Sequence, residues 1–120
     1  MIEIQLGAVE ARFADLIWEN QPISTTELVK LSLQELNWKK STTYTVLKRL
    51  CEKGIFQNIN GSVVALISKD ELQAMQSERF VEETFHGSLP AFLAAFTARK
   101  ALTQEEIDYL RRMIENHRED

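Results

Sequence analysis

Apolar residues recur at helical spacing through most of this chain, and the period changes once. In GAVEARFADLIWEN, Val9, Phe13, Leu16 and Ile17 fall on one helix face. Gln21-Pro22 ends that helix. Ser24 opens a second, with Glu27 three residues on as the other half of a capping box. Its face runs through Leu28, Val29 and Leu31 towards Leu36. A third face, Thr43, Val46, Leu47 and Leu50, stops at Gly54, the residue type that accepts a left-handed backbone just past a helix end. Beyond it β-branched residues dominate. IFQNI and SVVALI flank Asn60-Gly61, a strong signal for a two-residue hairpin turn. Three helices followed by a two-stranded hairpin is the order of a winged helix-turn-helix, whose third helix enters the DNA major groove and whose hairpin is the wing.

The helical period then returns. Ser68 and Glu71 form a second capping box, opening a helix through Leu72, Met75, Phe80 and Phe85 that His86-Gly87 ends. Leu89-Pro90 starts another, carrying Phe92, Leu93 and Phe96, since Pro is tolerated in a first turn. Thr103 and Glu106 are a third box, and Ile107, Leu110 and Ile114 give the last helix its apolar face. Three short amphipathic helices bury little by themselves, so Phe80, Phe85, Phe92, Phe96, Leu110 and Ile114 are expected to meet a second copy. The fold class expected is mainly α with a small β-hairpin. Residues 1–69 form a winged helix-turn-helix DNA-binding domain and residues 70–120 a three-helix C-terminal dimerisation region.

Composition narrows the function. With 44% hydrophobic and 27% charged residues in 120, the chain reads as globular rather than disordered. No apolar stretch approaches the roughly 20 residues that span a bilayer, so no membrane insertion is expected. The first residues lack the basic and apolar regions of a secretory signal, which points to a cytoplasmic protein. Cys51 is the one cysteine, so neither a disulfide framework nor a Cys-rich metal site is available. His86 and His117 both fall where a cation suits a helix C-terminus, without convergent ligands. Adjacent acids at Glu82-Glu83 and Glu105-Glu106 point to different sides of their helices. No phosphate loop or nucleophile signature is present. The chain reads as a non-enzyme with no cofactor and no metal.

Charge changes the picture more. The chain carries a formal −4, yet Lys39, Lys40, Lys48, Arg49 and Lys53 face only Glu52 between positions 39 and 53. With Thr43, Val46, Leu47 and Leu50 turned inward, Ser41, Tyr44, Thr45, Lys48 and Arg49 fall on or beside the outward face, with Thr42 near the helix start. Hydroxyls and cations of this kind suit phosphate oxygens and base edges. An ordinary solvated helix face would show similar charges; the order of elements and the hydroxyls favour double-stranded DNA. Lys39, Lys40, Ser41, Thr42, Tyr44, Thr45, Lys48 and Arg49 are the expected DNA-binding set. QNINGSVV has neither Lys nor Arg. That uncharged wing, with the acidic total, keeps open an alternative: a winged-helix module that binds protein and no operator.

Three stretches carry a resemblance across nearly the whole chain: LGAVEARFADLIWEN; W-x(3)-T-T-Y-T-V-L-x-R-L-x-x-K-G from Trp38 to Gly54; and GSLPAFLAAFTARKALTQEEIDYLRRMI from Gly87 to Ile114. Together they resemble the BlaI/MecI/CopY family of penicillinase, methicillin-resistance and copper-responsive repressors. The resemblance implies a homodimeric transcriptional repressor whose two winged helices bind a palindromic operator and whose C-terminal helices interlock. It maps the DNA-contacting helix onto Ser41, Thr42, Tyr44, Thr45 and Arg49. It also implies release of repression by proteolysis after a membrane-bound sensor metalloprotease detects a β-lactam. Matched on Leu-Thr-x-x-Glu-Ile, the cut falls at Ala95-Phe96, with Ala95 where the family has Asn. Lys39-Lys40 stands in place of a frequent Ser-Pro, and the wing lacks the family's usual basic residues. The chain ends ENHRED without the cysteine cluster of the copper-responsive branch, which disfavours copper sensing.

Overall fold

A computed structural model of the chain describes residues 4–117. The elements run α1 (Ala8–Asn20), β1 (Ile23–Ser24), α2 (Thr25–Leu36), α3 (Lys40–Glu52), β2 (Phe56–Ile59), β3 (Ser62–Ala65), α4 (Lys69–Phe85), α5 (Leu89–Arg99) and α6 (Gln104–Asn116). They fall into two compact units, Met1–Glu78 and Arg79–Asp120, with the boundary inside α4.

The first unit holds the buried core. Phe13 and Ile17 from α1, Leu28 from α2, Leu50 from α3, and Ile55, Phe56 and Val63 around the sheet are essentially inaccessible, with Ile4 and Leu72 packed beside them. Each such side chain contributes about 1.5–3 kcal/mol by leaving water. The α1 face differs from expectation at one end: Val9 is 51% exposed, and Ala14 is buried with Phe13 and Ile17 instead. Val9 lies in the first turn of α1, where only the later turns reach the core.

Helix α3 ends as Gly54 predicts. Gly54, at φ +87°, donates its N–H to the Cys51 carbonyl at 3.0 Å, and Ile55 donates to Leu50 at 3.2 Å. That bond pair closes the last turn and sends the chain directly into β2. Asn60 and Gly61, at φ +52° and +85°, are both left-handed, as a type I′ hairpin turn requires. They set the β2–β3 register, with Ile59 opposite Ser62 and Phe56 opposite Ala65. The strands are shorter than IFQNI and SVVALI, because Ile55 still closes α3 and β3 stops at Ala65.

The sheet has three strands, ordered β1-β3-β2 and antiparallel throughout, where the sequence suggested two. Ile23 pairs with Val63 and Ser24 with Ser62. Ser24 therefore serves twice, ending β1 and capping α2 by accepting from the Glu27 N–H at 3.1 Å. The Glu27 carboxylate does not complete the expected box; it lies 3.5 Å from Lys30 instead. The Ser68–Glu71 and Thr103–Glu106 boxes form with both bonds.

In the second unit, α5 is capped by Ser88, whose hydroxyl accepts from the Ala91 N–H at 3.1 Å with Pro90 in the first turn. Neither α5 nor α6 contains a fully buried residue. Its phenylalanines cluster. Phe80, Phe85 and Phe92 meet edge-on with centroids 5.6–6.0 Å apart, and Phe96 lies 6.1 Å from Phe92.

Candidate nucleic-acid interface

The face of α3 is built from its buried side outward. Thr43, Val46, Leu47 and Leu50 are buried, so the helical repeat leaves Ser41, Thr42, Tyr44, Thr45, Lys48 and Arg49 exposed. Phe13 on α1 and Trp38, just before α3, stack with centroids 5.1 Å apart and fix where the helix starts. The Arg12 guanidinium adds a bond to the Glu35 carbonyl at the end of α2, at 3.3 Å.

At its start α3 has no side-chain cap, since Lys39 occupies that position in extended conformation. The first-turn N–H groups, which lack helical partners in any α-helix, therefore remain available beside the Ser41 and Thr42 hydroxyls. This end suits an anion, and the exposed cations Lys39 and Lys40 flank it. The Lys40 ammonium lies 6.0 Å from the centre of the Tyr44 ring, presenting charge and aromatic edge together. Thr45 donates its hydroxyl to the Ser41 carbonyl at 2.9 Å, which holds its rotamer and leaves the oxygen free to accept.

Arg49 is held from the side. Its Nη1 lies 3.5 Å from Oε2 of Glu10 on α1, while Lys53 lies 3.4 Å from Oε1 of the same carboxylate. Lys53 also donates to the Gln5 carbonyl at 2.9 Å, and Oε1 of Glu10 accepts the Gly7 N–H at 3.0 Å. That backbone bond, with Lys53 next, holds the Glu10 carboxyl below the usual range for glutamate. Sequence reasoning missed Glu10. A single acid in helix α1 carries no signal of its own, and only the fold brings it to two cations, 39 and 43 residues away.

The wing is anchored at three places. Gly61 accepts from the Thr25 N–H at 2.9 Å, Gln21 accepts from the Ala65 N–H at 2.7 Å, and the Trp18 indole donates to the Ile67 carbonyl at 3.0 Å. Trp18 also packs against Phe56 in a tilted contact, with ring centroids 5.2 Å apart. The Asn58 side chain is spent on the turn, accepting from the Gly61 N–H at 3.0 Å, and Ile59 is 49% exposed. The wing thus offers backbone, amide and aliphatic groups.

The remaining expected residues lie in the second unit. Phe80, Phe85, Phe92 and Phe96 form the aromatic cluster, while Leu110 lines an open apolar groove on α6 with Leu102, Ile107 and Ile114. Ile114 and its neighbours Tyr109 and Met113 are strongly exposed. The Ala95–Phe96 bond lies inside α5; Phe96 is 44% exposed, and its carbonyl accepts from the Lys100 N–H at 3.1 Å. Burial of Cys51 pushes its thiol up, away from the reactive thiolate. Among the described residues, no cluster of three His, Cys, Asp or Glu is placed to hold a metal, and no helix is long and apolar enough to cross a membrane.

Comparison with known proteins agrees across the length of the chain. The penicillinase repressor family profile matches residues 6–116. A penicillinase repressor from Bacillus licheniformis is 25% identical over 118 residues, covering 95% of this chain and 92% of its own. The methicillin resistance regulatory protein MecI of Staphylococcus aureus is 20% identical over 114 residues, covering 92% and 93%. That of Mammaliicoccus sciuri is 19% identical with the same coverage.

Proposed function

The chain belongs to the penicillinase repressor family, one of transcriptional repressors rather than enzymes, and from that premise we propose that it is a homodimeric repressor binding a palindromic DNA operator in the cytoplasm. The observation that carries the reading is the α3 face. Four buried residues fix the helix, and three hydroxyls, a tyrosine and the cations stand in solvent around an uncapped helix start. Phosphates would take the N–H groups, hydroxyls and lysines, positioning the helix, while Tyr44 and Thr45 meet base edges. The formal −4 does not oppose this, since screening at physiological salt acts over about 8 Å.

Dimerisation is supported by the second unit, whose α5 and α6 have no fully buried residue and expose Tyr109, Met113 and Ile114. A second copy would cover that surface and place two reader helices on two half-sites. Release by a cut at Ala95–Phe96, made in response to a membrane-bound sensor metalloprotease, would detach α6 and part of the dimer surface. Because that bond lies within a helix, the segment must unwind before a protease can hold it extended.

The test is a gel shift of the full-length protein on DNA from its own promoter region, across a salt series, against a random duplex of equal length. Operator binding predicts preference for one duplex and an affinity that falls linearly on a log–log salt plot. The uncharged wing favours the second reading, a protein-binding module, and loss of all DNA binding at low salt would decide for it.

A further inference from the structure

Arg49 has two possible anionic partners, and the structure shows one. Its guanidinium meets Glu10 at 3.5 Å through a single nitrogen, and the Arg49 side chain is 53% exposed. Lys53 is the tighter partner of the same carboxylate: it reaches both oxygens, at 3.4 and 3.5 Å, and is 19% exposed. The Gly7 N–H adds a third bond at 3.0 Å. Glu10 therefore stays satisfied when Arg49 leaves, and Arg49 costs little to release. Arg49 also lies one helical turn beyond Thr45 and next to Lys48, at the rim of the exposed face.

From this geometry, and resting on the DNA-binding reading above, we infer that Glu10 is an internal stand-in for a DNA phosphate: Arg49 exchanges Glu10 for phosphate on docking, Lys53 keeps the carboxylate in place, and Glu10 thereby sets the affinity of the repressor. The exchange is sequence-independent, because the carboxylate competes with the backbone and not with a base. Every duplex loses the same small amount, the worth of one exposed ion pair.

A double-mutant cycle on full-length protein tests this, using the promoter duplex and a random duplex across a salt series. Glu10→Gln keeps an oxygen for the Gly7 N–H and removes the charge. It should tighten binding to both duplexes by about two- to fivefold. Arg49→Ala should lower the log–log salt slope by about 1, and its loss of affinity should be larger in the Glu10→Gln background than in the wild type. A static structural pair gives a different result: Glu10→Gln leaves binding to both duplexes no tighter, and Arg49→Ala leaves the slope unchanged. Either result overturns the exchange while wild-type binding preserves the repressor reading. Should Glu10→Gln fail to fold, the salt slope of Arg49→Ala decides alone. Failure of the wild type to bind either duplex overturns the repressor reading and the exchange with it.

Discussion

Replacing Phe92 by alanine should weaken the second unit and, through it, the dimer. Phe92 joins the aromatic cluster at three points: Phe85 at 5.6 Å and 77°, Phe80 at 6.0 Å and 88°, and Phe96 at 6.1 Å and 40°. A fully buried Phe→Ala change costs about 3–5 kcal/mol. Phe92 is half-buried in one chain, so about half of that applies, roughly 2 kcal/mol. Two of its contacts have the edge-to-face geometry worth about 0.5 kcal/mol or more each beyond area. The total is about 3 kcal/mol, close to a hundredfold in an equilibrium constant. Sedimentation equilibrium should show the dimer constant weakened by up to that factor, with operator affinity falling in step. Phe92→Leu, which keeps apolar volume and loses the ring geometry, should recover at least half the loss. If Phe92→Ala dimerises like the wild type to within threefold, the cluster does not support the interface and the reasoning fails.

Other changes isolate single terms. Tyr44→Ala should relax base preference by about 1–3 kcal/mol at one step; equal losses on promoter and random duplexes would remove Tyr44 from the base-reading set. Ser32 is fully buried in α2 with no partner for its hydroxyl. Ser32→Ala should therefore stabilise by about 1 kcal/mol in urea titration, the desolvated hydroxyl being gone and alanine the better helix former; a destabilised variant would reveal a buried partner. Glu10 titrates below its ordinary 4.5 in the folded chain, first through the Gly7 N–H and then through Lys53. A lowered folded value stabilises the fold above the ordinary value, and this is lost as pH falls through the folded one. Glu10→Gln should thus be less stable than wild type above pH 4.5 and converge with it in more acidic solution, read by thermal melts. A gap that persists in acid would assign the loss to packing rather than charge.

What the sequence made legible follows the range of the forces involved. The Gly54 terminus and the Asn60-Gly61 turn are local: each depends on residues within about one turn, and each formed as read. The α3 face was legible for the same reason, because four inward positions fix every outward one on a helix of known repeat. What failed depends on partners distant in sequence. Ile23–Ser24 carries no strand signal in two residues and becomes β1 only because β3 presents Val63 and Ser62 to it. Val9 fits the α1 face by spacing, yet it is left half-exposed. Glu27 is the local exception: it had the capping-box position and lies 3.5 Å from Lys30 instead.

Counted along the sequence, positions 39–53 hold five cations against Glu52. Counted in space, Arg49 and Lys53 are already met by Glu10, 39 and 43 residues away. The charge offered directly to a phosphate is then Lys39, Lys40 and Lys48, reinforced by the open N–H groups where α3 begins. These cations line the same exposed face as the hydroxyls and Tyr44, whereas the neutralised pair lies at its far end. On the proposed reading the start of α3 would make first contact with the backbone, and Arg49 would engage as a second step, once a phosphate stands close enough to replace Glu10. An affinity built in that order depends most steeply on the three lysines. Replacing any one of them should flatten the salt dependence even in the Arg49→Ala background, whereas an α3 that met DNA by its far end would show no such residual slope.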